Sequence, residues 1–421
     1  MRSLDVLINN ASVGTLKTES DIWSFSYTKS WLEWGDSFPL SPNIPLQGEE
    51  QIDGSTKRYI QWFFDNLLPE EGARTLLAKQ LNSIDEADSF GILAEVGKES
   101  AGALTLVTPS TVLEAGTLTK LSFEELNERI LNLPRIPLNN KESKRMSIAG
   151  AQHKMLIVKH EGGFYEPSGT MPSTHILKPE HSEPSDYWQT VRNEWFVMTL
   201  AGKMGLDVPK VEVCYLPSAV YIIERFDRVG KHPNQLRLHA MDSCQTLGLS
   251  RTSKYALSNV VQLKAFVEKL RGVGRARITV FTWAIFNALV GNNDAHLKNL
   301  TCIVDPDGLY LSPMYDLVCT AIYQGSGEHL SAPLSQKMGD ATTLNELTRE
   351  NIILFGEELG LNKAISVRVL NKLVGSITRE ADKLYEYTES LDDVDNKAGE
   401  LRMLREIRYN VIGEMVAKLS L

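Results

Sequence analysis

The sequence predicts an α+β chain in which a small strand-rich lobe precedes a larger helical lobe, with a separate α+β unit ahead of both. Three observations predict this. Strand-like segments dominate residues 155–224, helical ones dominate from about Leu257 onward, and a proline- and charge-rich stretch ending at Arg145 sets the first hundred or so residues apart. At 421 residues the chain is too long for one compact domain. Its composition, 43% hydrophobic and 23% charged, is that of a soluble globular protein.

The elements follow in order. Asp5–Ile8 and Ser12–Leu16 are short apolar strands around the turn Asn9-Asn10, an opening hairpin. Tyr59–Leu68 has helical spacing of apolar side chains and stops at Pro69. Gly102–Val107 returns to strand character. Residues 108–145 read as a connector with one helix, Ser122–Asn132, whose Ser122 and Glu125 have capping-box spacing. Pro134, Pro137 and the charged run Lys141–Arg145 close it. Beyond it, Met155–Lys159 and Thr174–Lys178 are strands, with Gly162-Gly163 as a turn between them. Asp186–Met204 is a long helix ended by Gly205, and Val211–Tyr215 with Ala219–Glu224 forms a hairpin. The mostly helical remainder is interrupted by one hairpin, Leu300–Leu311, around Asp305-Pro306-Asp307-Gly308.

Charge and cysteine content exclude several classes. Acidic residues outnumber basic ones 53 to 44, for a net charge of −9, the wrong sign for a protein that coats nucleic acid by itself. The four cysteines, Cys214, Cys244, Cys302 and Cys319, show no CxxC pairing, so neither a zinc knuckle nor a disulfide scaffold is indicated. Asp5 stands where an export signal needs its apolar run. Ile278–Gly291, the most membrane-like stretch, is broken by Asn287 and is shorter than the roughly 18 residues of a span, so it reads as a buried core helix. The expected compartment is the cytoplasm, with no membrane partner.

Gly291–Asn299 is the most informative segment. Asp294 and Asn299 stand in a D-x-x-x-x-N relation, the spacing of kinase catalytic loops, where the Asp orients the acceptor hydroxyl and the Asn ligates magnesium. A hairpin follows, then Asp316, placed where a kinase has its metal-chelating Asp. Alone the pattern is weak, since Asp and Asn cap backbone groups in any loop; its position after a buried helix and before a hairpin strengthens it. Lys178 ends a strand like the phosphate-pairing Lys of V-A-I-K, and Glu194 on the next helix is its natural partner. Taken singly, each is better explained as a solvated strand end (Lys178) or an exposed helix position (Glu194). Val220–Phe226 would be the strand joining the lobes, whose backbone can read an adenine edge. Ser147–Lys154, with one Gly and two Ala, occupies the place of a phosphate-covering loop.

Taken together, Ser147-Ile-Ala-Gly-Ala-Gln-His-Lys154, Pro172-Ser-Thr-His-Ile-Leu-Lys178, Glu224-Arg-Phe-Asp-Arg228, Asp294-Ala-His-Leu-Lys-Asn299 and Pro313-Met-Tyr-Asp316 resemble the HipA family of serine/threonine kinase toxins. Cys244–Leu249, Asn66–Pro69 and Gly102–Leu106 resemble further family segments, so the likeness runs along nearly the whole chain. It implies a bilobal, protein-kinase-like fold with a family-specific N-terminal subdomain: residues 1–110, a connector 111–145, an N-lobe-like part 146–226 and a helical C-lobe 227–421. It implies Asp294 as catalytic residue and Asn299 and Asp316 as magnesium ligands. His296, Leu297, Lys298, Asn299, Tyr315 and Asp316 would line the ATP site, and Lys178 would meet the phosphates. Ala149, Gly150, Ala151, Gln152, His153 and Lys154 would cover those phosphates, and Glu224, Arg225 and Phe226 would form the hinge. Glu194 would support Lys178. Ser147 aligns with the family's autophosphorylated serine, an off switch.

Some positions depart from these patterns. His153 replaces a common Glu of A-G-A-Q-E-K, Ala295 a common Gly, and Asn293 stands where other kinases have the H-R-D arginine. The implied partners are a HipB-like helix-turn-helix antitoxin, operator DNA held through it, and a protein substrate such as an aminoacyl-tRNA synthetase, with a dimer in the antitoxin complex. A catalytically silent corepressor and a small-molecule kinase are the alternatives. Retention of Lys178, Asp294, Asn299 and Asp316 argues against the first; only the acceptor separates the second. The basic cluster Lys269, Arg271, Arg275 and Arg277 reads as a solvated interhelical turn.

Overall fold

The computed structural model describes the chain except residues 82–83, 133–152, 232–233, 326, 393 and 421. It divides into two compact units, one of residues 1–178, 224–253 and 301–310, the other of residues 179–223, 254–300 and 311–421.

The first unit opens with strands β1 (Arg2–Ile8), β2 (Ala11–Glu19), β3 (Ile22–Tyr27), β4 (Gln51–Ile52) and β5 (Leu104–Val107), an antiparallel sheet in the order β4-β3-β2-β1-β5. Alternation puts Leu4, Val6, Ile8, Trp23, Phe25 and Tyr27 on the buried face. Asn9 and Asn10 both take positive φ, 46° and 72°, the conformation a two-residue hairpin turn requires and Asn tolerates. The expected opening hairpin is present. The third strand was not expected, although Trp23, Phe25 and Tyr27 alternate in the sequence. The helix expected over 59–68 spans Tyr59–Asp65, and helices Glu71–Gln80 and Ser89–Val96 are additions.

A second sheet of this unit runs β6 (Thr117–Leu121), β7 (Met155–His160), β8 (Gly163–Ser168) and β9 (His175–Pro179), antiparallel in the order β6-β8-β7-β9. Between β6 and β7 the helix Phe123–Leu131 carries the expected capping box: Glu125 N–H donates to Ser122 Oγ at 3.1 Å, and Ser122 N–H donates to the Glu125 carboxylate at 3.0 Å. A third, smaller sheet pairs His239–Asp242 with the hairpin Thr301–Asp305 and Gly308–Leu311.

A buried ionic cluster ties residues 99–102 to Ser173 and to the segment Arg225–Arg228 within the first unit, which joins stretches of chain that were expected to be separate. Arg225 makes bonds of 2.9 and 2.6 Å to both oxygens of Asp227 and one of 3.1 Å to Ser173. Arg228 reaches Glu99 at 3.1 Å and Asp227 at 3.1 Å. Glu99 also accepts from the Ser173 hydroxyl at 2.7 Å, and Asp227 from the Gly102 N–H at 2.7 Å. Charges this deeply buried persist only when paired. Burial alone would raise the Asp227 carboxyl, yet Arg225 and Arg228 hold it far below the usual range.

The second unit is mainly helical. Helix Thr190–Lys203 packs beside the hairpin Val211–Tyr215 and Ala219–Glu224. Helices Val260–Val267 and Val273–Leu289 follow, then five more between Arg349 and Ser420 with a π-helical turn at Glu406–Gly413. Gly272, at φ 69°, makes the turn that carries Lys269, Arg271 and Arg275, all exposed, while Arg277 pairs with Glu268 at 3.3 Å. Arg192, Tyr215 and Glu400 form a buried triad with bonds of 2.5–2.7 Å, tying the first helix to Lys397–Arg405. One expectation fails. Pro333–Met338 and Ala341–Thr343 form a second hairpin inside the region read as helical, turned by Gly339 at φ 58°. The core helix expected over 278–291 is found as Val273–Leu289, beginning earlier and ending before the positive-φ Gly291, and among the described residues no helix is long and apolar enough to cross a membrane.

His239 yields a test of the first unit. Its ring is 2% exposed, stacks 5.8 Å from Phe38, and donates from Nε2 to the Leu40 carbonyl at 2.9 Å. Burial pushes its pKa from 6.5 down to about 4. Below pH 6.5 the unfolded chain takes up this proton while the folded chain refuses it, so stability falls as pH drops from 6.5 towards about 4. The loss from this one group reaches about 3 kcal/mol. His239→Gln keeps a donor and should flatten that slope. Urea unfolding at several pH values measures it, and an unchanged slope in the variant would refute the assignment.

Candidate active site

Helix Val273–Leu289 delivers the chain into a loop organised by asparagine side chains. Asn292 Nδ2 donates to Asn287 Oδ1 at 2.8 Å, and Asn292 Oδ1 accepts from the Asp294 N–H at 3.0 Å. Thr320 Oγ1 accepts from the Asn293 N–H at 2.8 Å and donates to the Gly291 carbonyl at 3.1 Å. Gly291 takes φ 66°, and a Cβ there would lie 2.7 Å from Ala321 Cβ and 2.8 Å from Val411 Cγ1. Only glycine meets both conditions. Asn299 Nδ2 donates to the Asp294 carbonyl at 2.8 Å, closing the D-x-x-x-x-N segment on itself. That bond fixes the amide orientation and leaves the Asn299 side-chain oxygen as the end open to a cation.

Asp316 lies on a second strap of the same unit. Its φ of 58° is a strained value for a side chain without a turn role, a conformation that clusters at functional sites. The strap is anchored on both sides: Met314 N–H donates to the Asp207 carbonyl at 2.7 Å, and Tyr315 OH to the Lys298 carbonyl at 2.8 Å. Farther on, Asn193 exchanges two bonds with the backbone of Cys319, at 2.8 and 2.9 Å. Glu194, the next residue, is 5% exposed, which removes the exposed-helix explanation for it. The Tyr221 hydroxyl is pushed well above its ordinary range by burial and then by the charges of Glu194 and Asp316. Those two carboxylates are therefore within electrostatic reach of one group.

Asp294 is the carboxyl with the most telling surroundings. Burial raises its pKa, and the charge of Asp316 adds to the rise. His296, a hydrogen bond from Tyr255 and the charge of Lys254 oppose it. Tyr255 OH donates to Asp294 Oδ1 at 2.6 Å, its ring meets the His296 ring edge-on at 4.9 Å, and Lys254 Nζ sits 4.9 Å over it. One carboxylate oxygen is thus held by a phenol, which leaves the other to accept a proton or hydrogen bond from a reacting hydroxyl. Asp316 and the Asn299 oxygen are hard donors suited to magnesium, which takes its remaining ligands from phosphate and water.

The second unit therefore brings together Asp294, His296, Lys298, Asn299, Tyr315, Asp316 and Glu194. The Leu297 side chain is fully buried in the core, so only its backbone could face a ligand. In the first unit, Lys178 lies near the end of β9 and is 7% exposed, while His153 and Lys154 are half-buried just before β7. Glu224 is exposed and Phe226 half-buried. Arg225 departs from the hinge expectation: its N–H donates to the Thr174 carbonyl at 2.9 Å and its guanidinium grips Asp227, so neither is left for a nucleotide. Ser147, Ala149, Gly150, Ala151 and Gln152 lie outside the described residues. Sequence reasoning missed Tyr255, Tyr221, Asn193 and Asn292. Of these only Asn292, inside the Gly291–Asn299 segment, had a local signal; the others come from a turn (Tyr255), a strand (Tyr221) and a helix (Asn193) elsewhere in the chain.

Two family models match the chain: the HipA N-terminal domain over residues 4–107 and the HipA-like C-terminal domain over residues 146–383. Among relatives, Y4mE of Sinorhizobium fredii is 34% identical over 406 residues, covering 93% of this chain and 94% of its own. The serine/threonine-protein kinase toxin HipA of Shewanella oneidensis is 30% identical over 402 residues, 91% of this chain and 87% of its own. Among solved structures, a chain of the Shewanella oneidensis complex of HipA, HipB and operator DNA superposes with a TM-score of 0.79 at 27% identity, covering 98% of this chain and 99% of that one.

The contact between Tyr255 and Asp294 can be tested by pH. Tyr255→Phe removes a hydroxyl that favours the ionised carboxyl, so Asp294 should titrate at higher pH than in the wild type. A reaction that needs the carboxylate is lost as pH falls through that pKa, so the acidic limb of its rate profile should move to higher pH. A limb that stays put, or moves lower, would show that the phenol does not act on Asp294.

Proposed function

This chain belongs to the HipA family, and on that premise we propose how its residues carry out phosphoryl transfer and what the transfer serves. The chain is a HipA-like serine/threonine kinase toxin of a toxin–antitoxin system, with a protein-kinase-like α+β fold. The observation that supports the mechanism best is the loop in which Asn299 is bonded to the Asp294 backbone while Tyr255 holds the Asp294 carboxylate.

Asp294 accepts a hydrogen bond from the acceptor Ser or Thr hydroxyl and aims it at the γ-phosphate of ATP. Its raised pKa makes it a better proton acceptor than an ordinary carboxylate. Asn299 and Asp316 hold Mg2+, which supplies neutralising charge on the ATP phosphates when bound. Lys178 pairs with those phosphates, and His296, Lys298 and Tyr315 shape the nucleotide site; Tyr315 does so by fixing the Lys298 carbonyl. The loop at 149–154 covers the phosphates. Autophosphorylation of Ser147 is the off switch, because nearly two added negative charges beside the ATP phosphates disfavour the nucleotide-bound loop. The family membership supports a translation component such as an aminoacyl-tRNA synthetase as target, and the cytoplasm as the place of action. A HipB-like antitoxin that carries the operator DNA, with a dimer in that complex, is the partner reading.

Radiolabel transfer from ATP tests the chemistry. Asp294→Asn should lower the rate at least about a hundredfold with the fold intact, and Asp316→Asn should raise the magnesium requirement on the order of tenfold. Wild-type rates in both would refute these roles. Mass spectrometry of the same incubated sample should find phosphate on Ser147, and its absence would remove the switch while leaving the kinase reading intact. Phosphoproteomics after induced expression names the acceptor; no enriched translation protein would overturn the proposed target.

Partner dependence follows from charge. At a net charge of −9 the isolated chain should bind operator DNA weakly, and binding should become tight and sequence-specific only with the helix-turn-helix partner. Tight specific binding by the purified chain at physiological salt would refute this.

A further inference from the structure

Within the first unit, away from every residue used above for phosphoryl transfer, lies a pocket of about 240 Å³. Its lining includes Asn9, Lys98, Glu99, Thr105, Thr170 and Arg237. Arg237 is 9% exposed, and its guanidinium donates only to neutral acceptors: Gly102 O at 3.3 Å, Thr105 Oγ1 at 2.8 Å and Leu104 O at 2.7 Å. These bonds use three of its five N–H groups. Among the described residues no carboxylate lies within salt-bridge distance of it. The two nearby acids are already engaged, Glu99 by Arg228 and Ser173, and Asp227 by Arg225 and Arg228. Three arginines thus face two carboxylates, an excess of one positive charge, and Lys98, half-buried in the lining, adds another.

We propose that this pocket is a binding site for a small oxyanion, a phosphate or carboxylate group, held by the free N–H groups of Arg237 and the Lys98 ammonium. A buried cation without a counter-ion is costly, and an anion that enters with hydrogen bonds to a planar guanidinium fork removes that cost. Burial, with Arg228 and Arg225 nearby, pushes the Arg237 pKa down to about 9 against the opposing charges of Glu99 and Asp227, so the side chain still carries its charge at neutral pH. The volume corresponds to roughly eight liquid waters, room for one such group with a short organic tail. Glu99 also lines the pocket, with its Oε1 engaged by Ser173 and Arg228. Asn9, Thr105 and Arg237 join the N-terminal sheet to the 235–237 segment around the pocket, through bonds of 3.0 Å from the Arg237 N–H to Asn9 Oδ1 and 2.7 Å from Asn9 Nδ2 to the Arg237 carbonyl. A bound anion should therefore also raise the melting temperature.

The test uses the full chain saturated with magnesium and a non-hydrolysable ATP analogue, so that the nucleotide site is filled. Inorganic phosphate, phosphoglycolate and succinate are titrated calorimetrically at constant ionic strength, which separates free phosphate, a phosphomonoester and a carboxylate as the source of the group. At least one should bind saturably and raise the melting temperature. Arg237→Gln should weaken that binding about tenfold or more, and Lys98→Ala about threefold, with the rate of phosphoryl transfer unchanged in both. Should Arg237→Gln fail to fold, Lys98→Ala and a crystal soaked in selenate decide, with anomalous density expected at the Arg237 guanidinium. No saturable binding of any of the three probes, binding that the foldable variants leave intact, or selenate density confined to other places would overturn the proposal.

Discussion

Burial of charge is the constraint on which this structure depends. Glu99, Arg225, Asp227 and Arg228 are taken out of water together, and each is tolerable only because the others are there. Removing one partner from such a cluster costs about 3–5 kcal/mol, because the remaining charge is left unpaired in a medium that cannot solvate it. The cluster requires Ser100 to Gly102, just before the last strand of the N-terminal sheet, to pack against Ser173 and the segment Arg225–Arg228. The same physics acts in the second unit through Arg192 and Glu400, which hold the helix of Glu194 against the C-terminal helices.

The same constraint acts on Asp294, the residue proposed for catalysis. Asp294 is buried enough for its pKa to rise, yet it keeps a phenol, an imidazole and an ammonium nearby to stabilise its ionised form. The loop that carries it has little regular structure, so its backbone groups must be satisfied locally. Asn292, Asn299 and Thr320 do that work. Asparagine suits the task because one side chain offers both donor and acceptor. The loop is therefore set in place before any ligand arrives, which is what a transfer reaction with little covalent chemistry of its own demands.

Much of this was legible in the sequence wherever the signal was local. The capping box at Ser122 and Glu125, the Asn9-Asn10 turn and the hairpin at 305–308 each depend on residues within four positions of one another. The Asp294-to-Asn299 spacing was legible for the same reason, since one short loop holds both. Less visible was the strand Ile22–Tyr27, whose alternation is clear only once a neighbouring strand gives it a buried face. The hairpin at 333–343 was missed because its strands are short, although Pro333, the turn at Gly339 and Thr342-Thr343 all break a helical pattern.

By itself, then, the sequence determined the α+β class, the family likeness and the sign of the net charge, all properties of local pattern or composition, and it pointed to the carboxylates and the amide proposed for catalysis and metal binding. Tertiary structure alone decided that Tyr255 holds Asp294 across 39 positions of chain, that Glu194 is buried, and that Arg225 faces Asp227 rather than a nucleotide. It also decided that, among the described residues, no carboxylate comes within salt-bridge distance of Arg237. Pairing of charges depends on which groups lose water together, and that is set by packing between segments more than a hundred residues apart.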